Sequence, residues 1–323
     1  MNKVLIIGPG SYGLCLSEVL QNNKDNEIYL LGKSEEKLSQ IQSGNFIVFD
    51  HKIKPVKDFY TDYSSCFSQR YDLIIFAVPS KELSKLVNEI SKYINYSVNI
   101  INTSKGMKDE NNYWCDYFLK LNKNFKYSYL SGPSFAEEVI KKEKTICNLC
   151  SNNISNFLLI NSIFNSNYFK LVYLKQVKPY EFIGSAKNAI ALCFGIINAL
   201  TNSQNTIYAL LSEFMLDLRK IIKKKINFSK QIDYLSYCSL GDIVMCSNSS
   251  KSRNFSYGYD FIKLSKEDLE SKYNNMTIEG IRTLNFLKSI IDEYNLETKL
   301  FNLFANFING YISVDELLNN LIN

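Results

Sequence analysis

Apolar runs and helical periodicities alternate along the first half of the chain. Lys3 to Ile7 (Lys-Val-Leu-Ile-Ile) predicts a buried parallel strand, since a strand covered on both faces reads as a near-continuous apolar run. Gly8-Pro-Gly-Ser-Tyr-Gly13 follows at once, and a helix is expected from about Ser11 to Asn22, with Leu14, Leu16, Val19 and Leu20 at helical spacing. Glu27 to Leu31 reads as a second strand, after which Ser34 caps a helix with Glu36 and Lys37 in its first turn. Asp72 to Val78 is another buried strand, closed by Pro79-Ser80 and followed by a helix to about Tyr93. Val98 to Asn102 runs into Thr103-Ser104-Lys105-Gly106, and Tyr127 to Leu130 into Ser131-Gly132-Pro133-Ser134.

The pattern changes near Val177-Lys178-Pro179. Long helical periodicities then cover Glu181 to Leu200, Thr206 to Ile226, Ile278 to Tyr294, and Leu300 to the end. The expected architecture is α/β. Residues 1–177 form a doubly wound parallel sheet and residues 178–323 an all-α domain. Ligands of such sheets bind outside the carboxyl ends of the strands, where these small-residue loops fall.

The glycine spacing gives that placement chemical content. Gly8-x-Gly10-x-x-Gly13 sits between a strand and a helix, the context a dinucleotide loop requires. Gly8 makes the tight turn, Gly10 lets the pyrophosphate approach the backbone, and Gly13 lets helix and strand pack closely. The helix N-terminus offers unpaired N–H groups to the phosphates. The sheet is therefore expected to be Rossmann-like. The second strand ends Leu31-Gly32-Lys33-Ser34, with no acid to hold a ribose 2′-hydroxyl. Lys33 and Ser34 are candidate ligands for a 2′-phosphate, which tilts the cofactor towards NADP or towards use of both NADP and NAD; the other reading of Lys33 is a solvated loop lysine.

Composition narrows the remaining classes. The 323 residues are 46% hydrophobic and 21% charged, which excludes wholesale disorder. Thirty-seven Lys and Arg against 32 Asp and Glu leave a net charge of +5, and Lys223-Lys224-Lys225 is an isolated basic run, so no nucleic-acid partner is expected. Only 13 glycines occur, so those present are expected to hold backbone positions that need them. The apolar run at the N-terminus is too short for a signal peptide, and Ala189 to Leu200, interrupted by Asn198, reads as a buried helix and not a membrane span. The expectation is a cytoplasmic chain without membrane insertion. Cys147-Asn-Leu-Cys150 lacks a second ligand pair, and the single histidine, His51, is far away in sequence, so no metal site is expected. With one histidine, proton transfer falls to Lys, Asp, Glu or Tyr. Lys187, sharing a face with Ile183 and Ala191 in an apolar helix, is either functional or snorkelling to the surface.

The order of motifs resembles the bacterial-type NAD(P)-dependent sn-glycerol-3-phosphate dehydrogenases. The matching pieces are GPGSYG (8–13), VPS (78–80), SKG (104–106), LSGPSFAEEV (130–139), AKN (186–188), LGD (240–242), SRN (252–254) and EG (279–280). They run in family order over nearly the whole chain. The resemblance implies that Ser11 and Tyr12 contact the cofactor, that Lys105 reaches cofactor and substrate, and that Ala136 contacts the cofactor. It places Gly132 and Ser134 against the substrate. Lys187 would be the general acid/base, with Asp242 binding substrate and orienting it. Ser252, Arg253 and Asn254 would line the substrate site, Arg253 also near the cofactor, and Glu279 would hold the cofactor from the helical domain. The implied reaction interconverts dihydroxyacetone phosphate and glycerol 3-phosphate for phospholipid synthesis, in a homodimer. Two other readings stay open: a related dehydrogenase of another small 2-oxo or 2-hydroxy compound, and a drifted, non-catalytic nucleotide-binding protein. Three departures bear on the first. Ser212-Glu213-Phe214 stands where the family has Thr-Arg-Gly, Leu235 to Leu240 keeps little of the family's glycine-rich segment, and Gly184-Ser185 replaces a Gly-Gly or Gly-Ala pair.

Overall fold

A computed structural model describes residues 1–108, 113–226, 231–274 and 276–321. The chain divides into two compact units, Met1–Glu181 and Phe182–Asn323.

The first unit carries strands β1 (Asn2–Ile7), β2 (Asn26–Leu31), β3 (Ile47–Val48), β4 (His51–Lys52), β5 (Asp58–Tyr60), β6 (Leu73–Phe76), β7 (Val98–Asn102), β8 (Phe125–Ser131), β9 (Thr145–Ser151) and β10 (Phe169–Lys175). Its helices are α1 (Ser11–Leu20), α2 (Glu35–Gln42), α3 (Tyr63–Cys66), α4 (Ser80–Ile90), α5 (Trp114–Leu121), α6 (Ala136–Ile140) and α7 (Ile154–Ile163). Eight strands form one sheet in the order β10-β9-β8-β7-β6-β1-β2-β5. Ile7 pairs in parallel with Leu31 on one side and Phe76 on the other. The strand order reverses between β1 and β6, the switch point at which doubly wound sheets bind ligands. Val4, Ile6, Leu14, Leu16, Val19, Ile28, Leu30 and Ile75 are buried in one core, and Leu5, Ile74 and Phe76 on the opposite face are buried too, so both faces of the central strands are covered, which explains the apolar runs.

The sheet is larger than the pattern predicts. β9 pairs antiparallel with β8, and β10 parallel with β9. Both were hidden because β9 carries the polar Asn148 inside it and β10 exposes Lys170 and Lys175 at the sheet edge. Cys147 and Cys150 lie on β9, three residues apart, so the pleat sends their thiols to opposite faces. His51 sits in the β3–β4 hairpin with Nε2 at 3.6 Å from the buried Glu18, a structural place.

The second unit continues α8 (Lys178–Leu200), whose first turn belongs to the first unit. Then come α9 (Gln204–Ile226), a π-turn at Tyr237–Gly241, α10 (Asp242–Ser247), α11 (Arg253–Lys263), α12 (Lys266–Tyr273), α13 (Glu279–Tyr294), α14 (Leu300–Ile308) and α15 (Val314–Asn320). α8 is the one helix among the described residues long and apolar enough to cross a bilayer, and 89% of its most apolar stretch is buried, as in a core helix. It packs backbone to backbone on α11. A Cβ on Gly195 would lie 2.0 Å from the Phe255 carbonyl oxygen, and one on Gly258 2.0 Å from that of Leu192. The helix expected from Leu300 onwards is two helices. Gly310 turns the chain with φ +77°, and Ser313 opens α15 with a capping box to Glu316; residues 322–323 lie outside the described part.

Phe214 explains one departure from the family pattern. Fully buried, it lies 5.7 Å from Phe194, 5.2 Å from Phe301 and 5.7 Å from Phe304, measured between ring centroids. A ring here fills space a glycine would leave empty, so the change is accommodated by the aromatic core. Three residues on, the buried Asp217 accepts the backbone N–H groups of Lys299 at 3.0 Å and Leu300 at 2.9 Å, tying α9 to the start of α14.

Candidate active site

In the first unit, β1 leads into Gly8, whose φ of +97° favours glycine and whose Cβ would lie 2.6 Å from the Ala77 carbonyl oxygen. A Cβ on Gly13 would lie 2.3 Å from the Gly8 oxygen. The fold itself therefore needs both residues. Gly10 is different: nothing lies within 4 Å of a Cβ there. It stands at the N-cap of α1 with no capping side chain, and the first turn holds no acid. An open space over uncapped helical N–H groups fits a pyrophosphate. Ser11 is exposed and Tyr12 half-buried at the mouth of this loop.

Tyr12 ties the loop to the segment after β8. Its hydroxyl is 3.1 Å from Ser134 Oγ, and Ser134 donates to the Gly132 carbonyl at 3.0 Å. One turn along α1, Cys15 Sγ donates to the Ala136 carbonyl at 2.9 Å. So Tyr12, Gly132, Ser134 and Ala136, distant in sequence, come together. Gly132, with φ +151°, presses on Cys147 of β9, where a Cβ would lie 2.9 Å from Cα.

At the end of β2, Ser34 spends its hydroxyl on capping α2, accepting from Lys37 N at 3.3 Å. Lys33 is exposed and pairs with Glu82 of α4, Nζ to Oε2 at 3.2 Å. The lysine is neither buried nor aimed inward; it stands at the strand's carboxyl end with a carboxylate as its present partner. At the end of β7, the half-buried Lys105 lies between Ser104, which donates to the Val78 carbonyl at 2.6 Å, and Gly106.

In the second unit the structure settles the position of Lys187. It is not snorkelling. Its side chain is 6% exposed, and Nζ donates to Asp242 Oδ1 at 2.9 Å and to Cys246 Sγ at 3.0 Å. Asp242 is fully buried and opens α10 directly after the π-turn, a local widening frequent at functional sites. Removing such a pair from water is costly, and breaking it by removing one partner leaves an uncompensated charge. A buried pair of this kind is weak evidence for stability. Cys246 was not foreseen. The signal was its i+4 spacing from Asp242, which places both on one face of α10.

A second polar group forms beside it. Asn188 Nδ2 donates to Glu279 Oε2 at 3.0 Å, and Asn254 Oδ1 accepts from Gly280 N at 2.9 Å. A Cβ on Gly280 would meet the Asn188 carbonyl at 2.6 Å, which explains the Glu-Gly pair. Ser252 caps α11, accepting from Phe255 N at 3.4 Å. Arg253 begins α11 and joins no ion pair among the described residues.

Family models match both parts of the chain: the N-terminus of NAD-dependent glycerol-3-phosphate dehydrogenase over residues 3–157, and its C-terminus over residues 176–319. A glycerol-3-phosphate dehydrogenase [NAD(P)+] of Mesoplasma florum is 30% identical over 329 aligned positions, covering 99% of this chain and 97% of that protein. Among solved structures, the glycerol-3-phosphate dehydrogenase of Coxiella burnetii superposes with a TM-score of 0.87 at 20% identity, covering 100% of this chain and 99% of that one. That of Plasmodium falciparum gives 0.88 at 22%, covering 100% and 95%. At those identities the structures speak for the fold.

Proposed function

The chain belongs to the NAD-dependent glycerol-3-phosphate dehydrogenase family, and on that premise we propose that it interconverts dihydroxyacetone phosphate and sn-glycerol 3-phosphate with NADH or NADPH. The observation that carries the reading is the buried Lys187–Asp242 pair at 2.9 Å, built into a chain whose other unit holds an open glycine loop.

The nicotinamide, when bound, supplies the hydride to the substrate's C2 carbonyl carbon. Everything else falls to the chain. Gly10 and the N–H groups of α1, with Ser11 and Tyr12 beside them, would hold the pyrophosphate, and Ala136, Arg253 and Glu279 would be further cofactor contacts, as the resemblance implies. Lys187 polarises the carbonyl oxygen, and its ammonium delivers the proton that oxygen needs as it becomes a hydroxyl; in reverse the amine takes the proton back. Asp242 holds Nζ in place through the cycle. Cys246, the second acceptor of Nζ, limits the directions it can take. Arg253 offers the planar fork that suits a phosphate, Lys105 a point charge, and Gly132, Ser134, Ser252 and Asn254 the remaining substrate contacts. The enzyme supplies glycerol 3-phosphate to phospholipid synthesis and works in the cytoplasm as a homodimer, as the family resemblance implies.

The test is reduction of dihydroxyacetone phosphate by NADH and by NADPH, for the wild type and for Lys187→Ala. Turnover is expected with both cofactors, falling in the variant by about 10²–10⁴-fold, the usual weight of a positioned acid. NADPH binding, read by fluorescence, is expected to survive the substitution. A wild type that binds NADPH but reduces only unphosphorylated 2-oxo compounds would overturn the substrate assignment.

A further inference from the structure

Glu181 is a buried carboxyl that the reaction above does not use. It lies in the first turn of α8, 2% exposed, and two hydrogen-bonded arms run from it to the residues on either side of Lys105. In the first arm Tyr127 of β8 donates its hydroxyl to Glu181 Oε1. Asn102, the last residue of β7, donates Nδ2 to the Tyr127 oxygen at 2.9 Å, and its Oδ1 accepts the backbone N–H of Ser104 at 2.9 Å. In the second arm the backbone N–H of Cys115, in the first turn of α5, donates to Glu181 Oε2 at 3.3 Å. The adjacent Trp114 donates its indole N–H to the Gly106 carbonyl at 2.6 Å. Asn102, Tyr127 and Trp114 are all buried. One carboxyl thus anchors both neighbours of an otherwise ordinary loop lysine.

We propose that Glu181 is a positioning residue for Lys105: its carboxylate accepts both arms and so holds the loop 103–106 in the conformation that presents the lysine to a phosphorylated ligand. The proposal rests on the dehydrogenase reading and on Lys105 reaching cofactor and substrate. As an ionised group Glu181 accepts on both oxygens; protonation turns one of them into a donor and takes the acceptor from one arm. The groups facing it are the Cys115 thiol and Asp116 from α5 and Tyr127 from β8; Lys178, on its own helix, is paired with Asp116 at 2.8 Å. Burial pushes the Glu181 carboxyl up to about 7, Asp116 adds to the rise, and the bonds from Tyr127 and Cys115 oppose it. The arms therefore change state within the working pH range.

The experiment measures kcat and KM for dihydroxyacetone phosphate from about pH 5.5 to 8.5 in the wild type, Glu181→Gln and Tyr127→Phe. Glu181→Gln keeps an acceptor for Tyr127 but turns an amide donor towards the Cys115 N–H, so one arm is lost at every pH. The expected ratio of variant to wild-type KM is about tenfold at the alkaline end, the size of one charge-assisted hydrogen bond, and falls towards one at the acid end. Taking the ratio cancels the titration of the substrate's own phosphate. Tyr127→Phe removes a single oxygen and should raise KM similarly with less change in kcat; it carries the test if Glu181→Gln fails to fold. Folded variants with wild-type KM at every pH, or a loss confined to the urea midpoint, would overturn the proposal. If the wild type reduces no dihydroxyacetone phosphate, the dehydrogenase reading fails separately, and the same pH series is read as the Kd for NADPH.

Discussion

The glycine loop of the first unit and the lysine cluster of the second are built by opposite means. The loop is backbone: three glycines, a tight turn and uncapped helical N–H groups within residues 8–13. The cluster is side chain: Lys187 on α8 meets Asp242 and Cys246 on α10, 55 residues further along for the ion pair. A backbone site is robust because the fold that makes it also needs it, as the contact of Gly13 with Gly8 demonstrates. A side-chain site in a dry helical unit is held against its own desolvation, so stability and function pull apart there.

The largest effect should come from breaking that cluster. Asp242→Ala leaves a buried ammonium without its carboxylate and should cost about 3–5 kcal/mol of stability, measured by urea denaturation. Replacing both members, Lys187→Met with Asp242→Leu, should restore most of the stability while activity stays lost. If the double variant is as unstable as the single one, the pair is structural and the contrast with the loop falls away.

Within the loop the glycines should separate. Gly13→Ala forces a Cβ to within 2.3 Å of the Gly8 oxygen and should destabilise the fold by about 3 kcal/mol. Gly10→Ala meets open space, so its urea midpoint should stay within about 0.5 kcal/mol of the wild type. Its NADPH affinity should nonetheless fall. Equal stability losses at the two positions would mean that Gly10 serves the fold and not a ligand.

Glu181 is a buried acid that joins no ion pair among the described residues, and its linkage runs opposite to a salt-bridged carboxylate. Its folded pKa, about 7, lies above the ordinary value of 4.5, so the folded state binds the proton more tightly. Its contribution is fully present below about pH 4.5, declines as pH rises to about 7, and is lost above; the total is on the order of 3 kcal/mol. Urea midpoints against pH should show this decline in the wild type and not in Glu181→Gln. A parallel decline in both would assign it to other groups.

The smallest effect concerns cofactor choice. The Lys33–Glu82 pair is exposed, and such pairs contribute about 0–1 kcal/mol. Releasing Lys33 by Glu82→Gln should favour NADPH over NADH by only a few-fold, more at low salt. An unchanged ratio would make Lys33 the solvated loop lysine.

Legibility in the sequence followed the range of the interactions. The central strands, α1, the cap at Ser34 and the glycine loop were readable because local sterics and short-range patterning dictate them. β9 and β10 were not, because a strand with Asn148 inside it or an open edge beside it breaks the apolar pattern on which such readings depend. At the lysine cluster periodicity alone left Lys187 undecided, and the family resemblance was needed to favour it. The two arms of Glu181 escaped both routes, since they join residues whose proximity no spacing encodes; for Cys246 only the i+4 spacing from Asp242 was readable, and it does not bring in Lys187.

By itself the sequence determined an alternating α/β half followed by a helical half, a tight glycine loop between strand and helix, and the family, because periodicity, turn chemistry and motif order are properties of neighbours along the chain. Only the tertiary structure decided that Lys187 points inward to a carboxylate and a thiol, that Lys33 stands on the surface against Glu82, and that one buried glutamate anchors both sides of Lys105. The direction of a side chain and the dielectric around it are set by what packs against it from elsewhere in the chain.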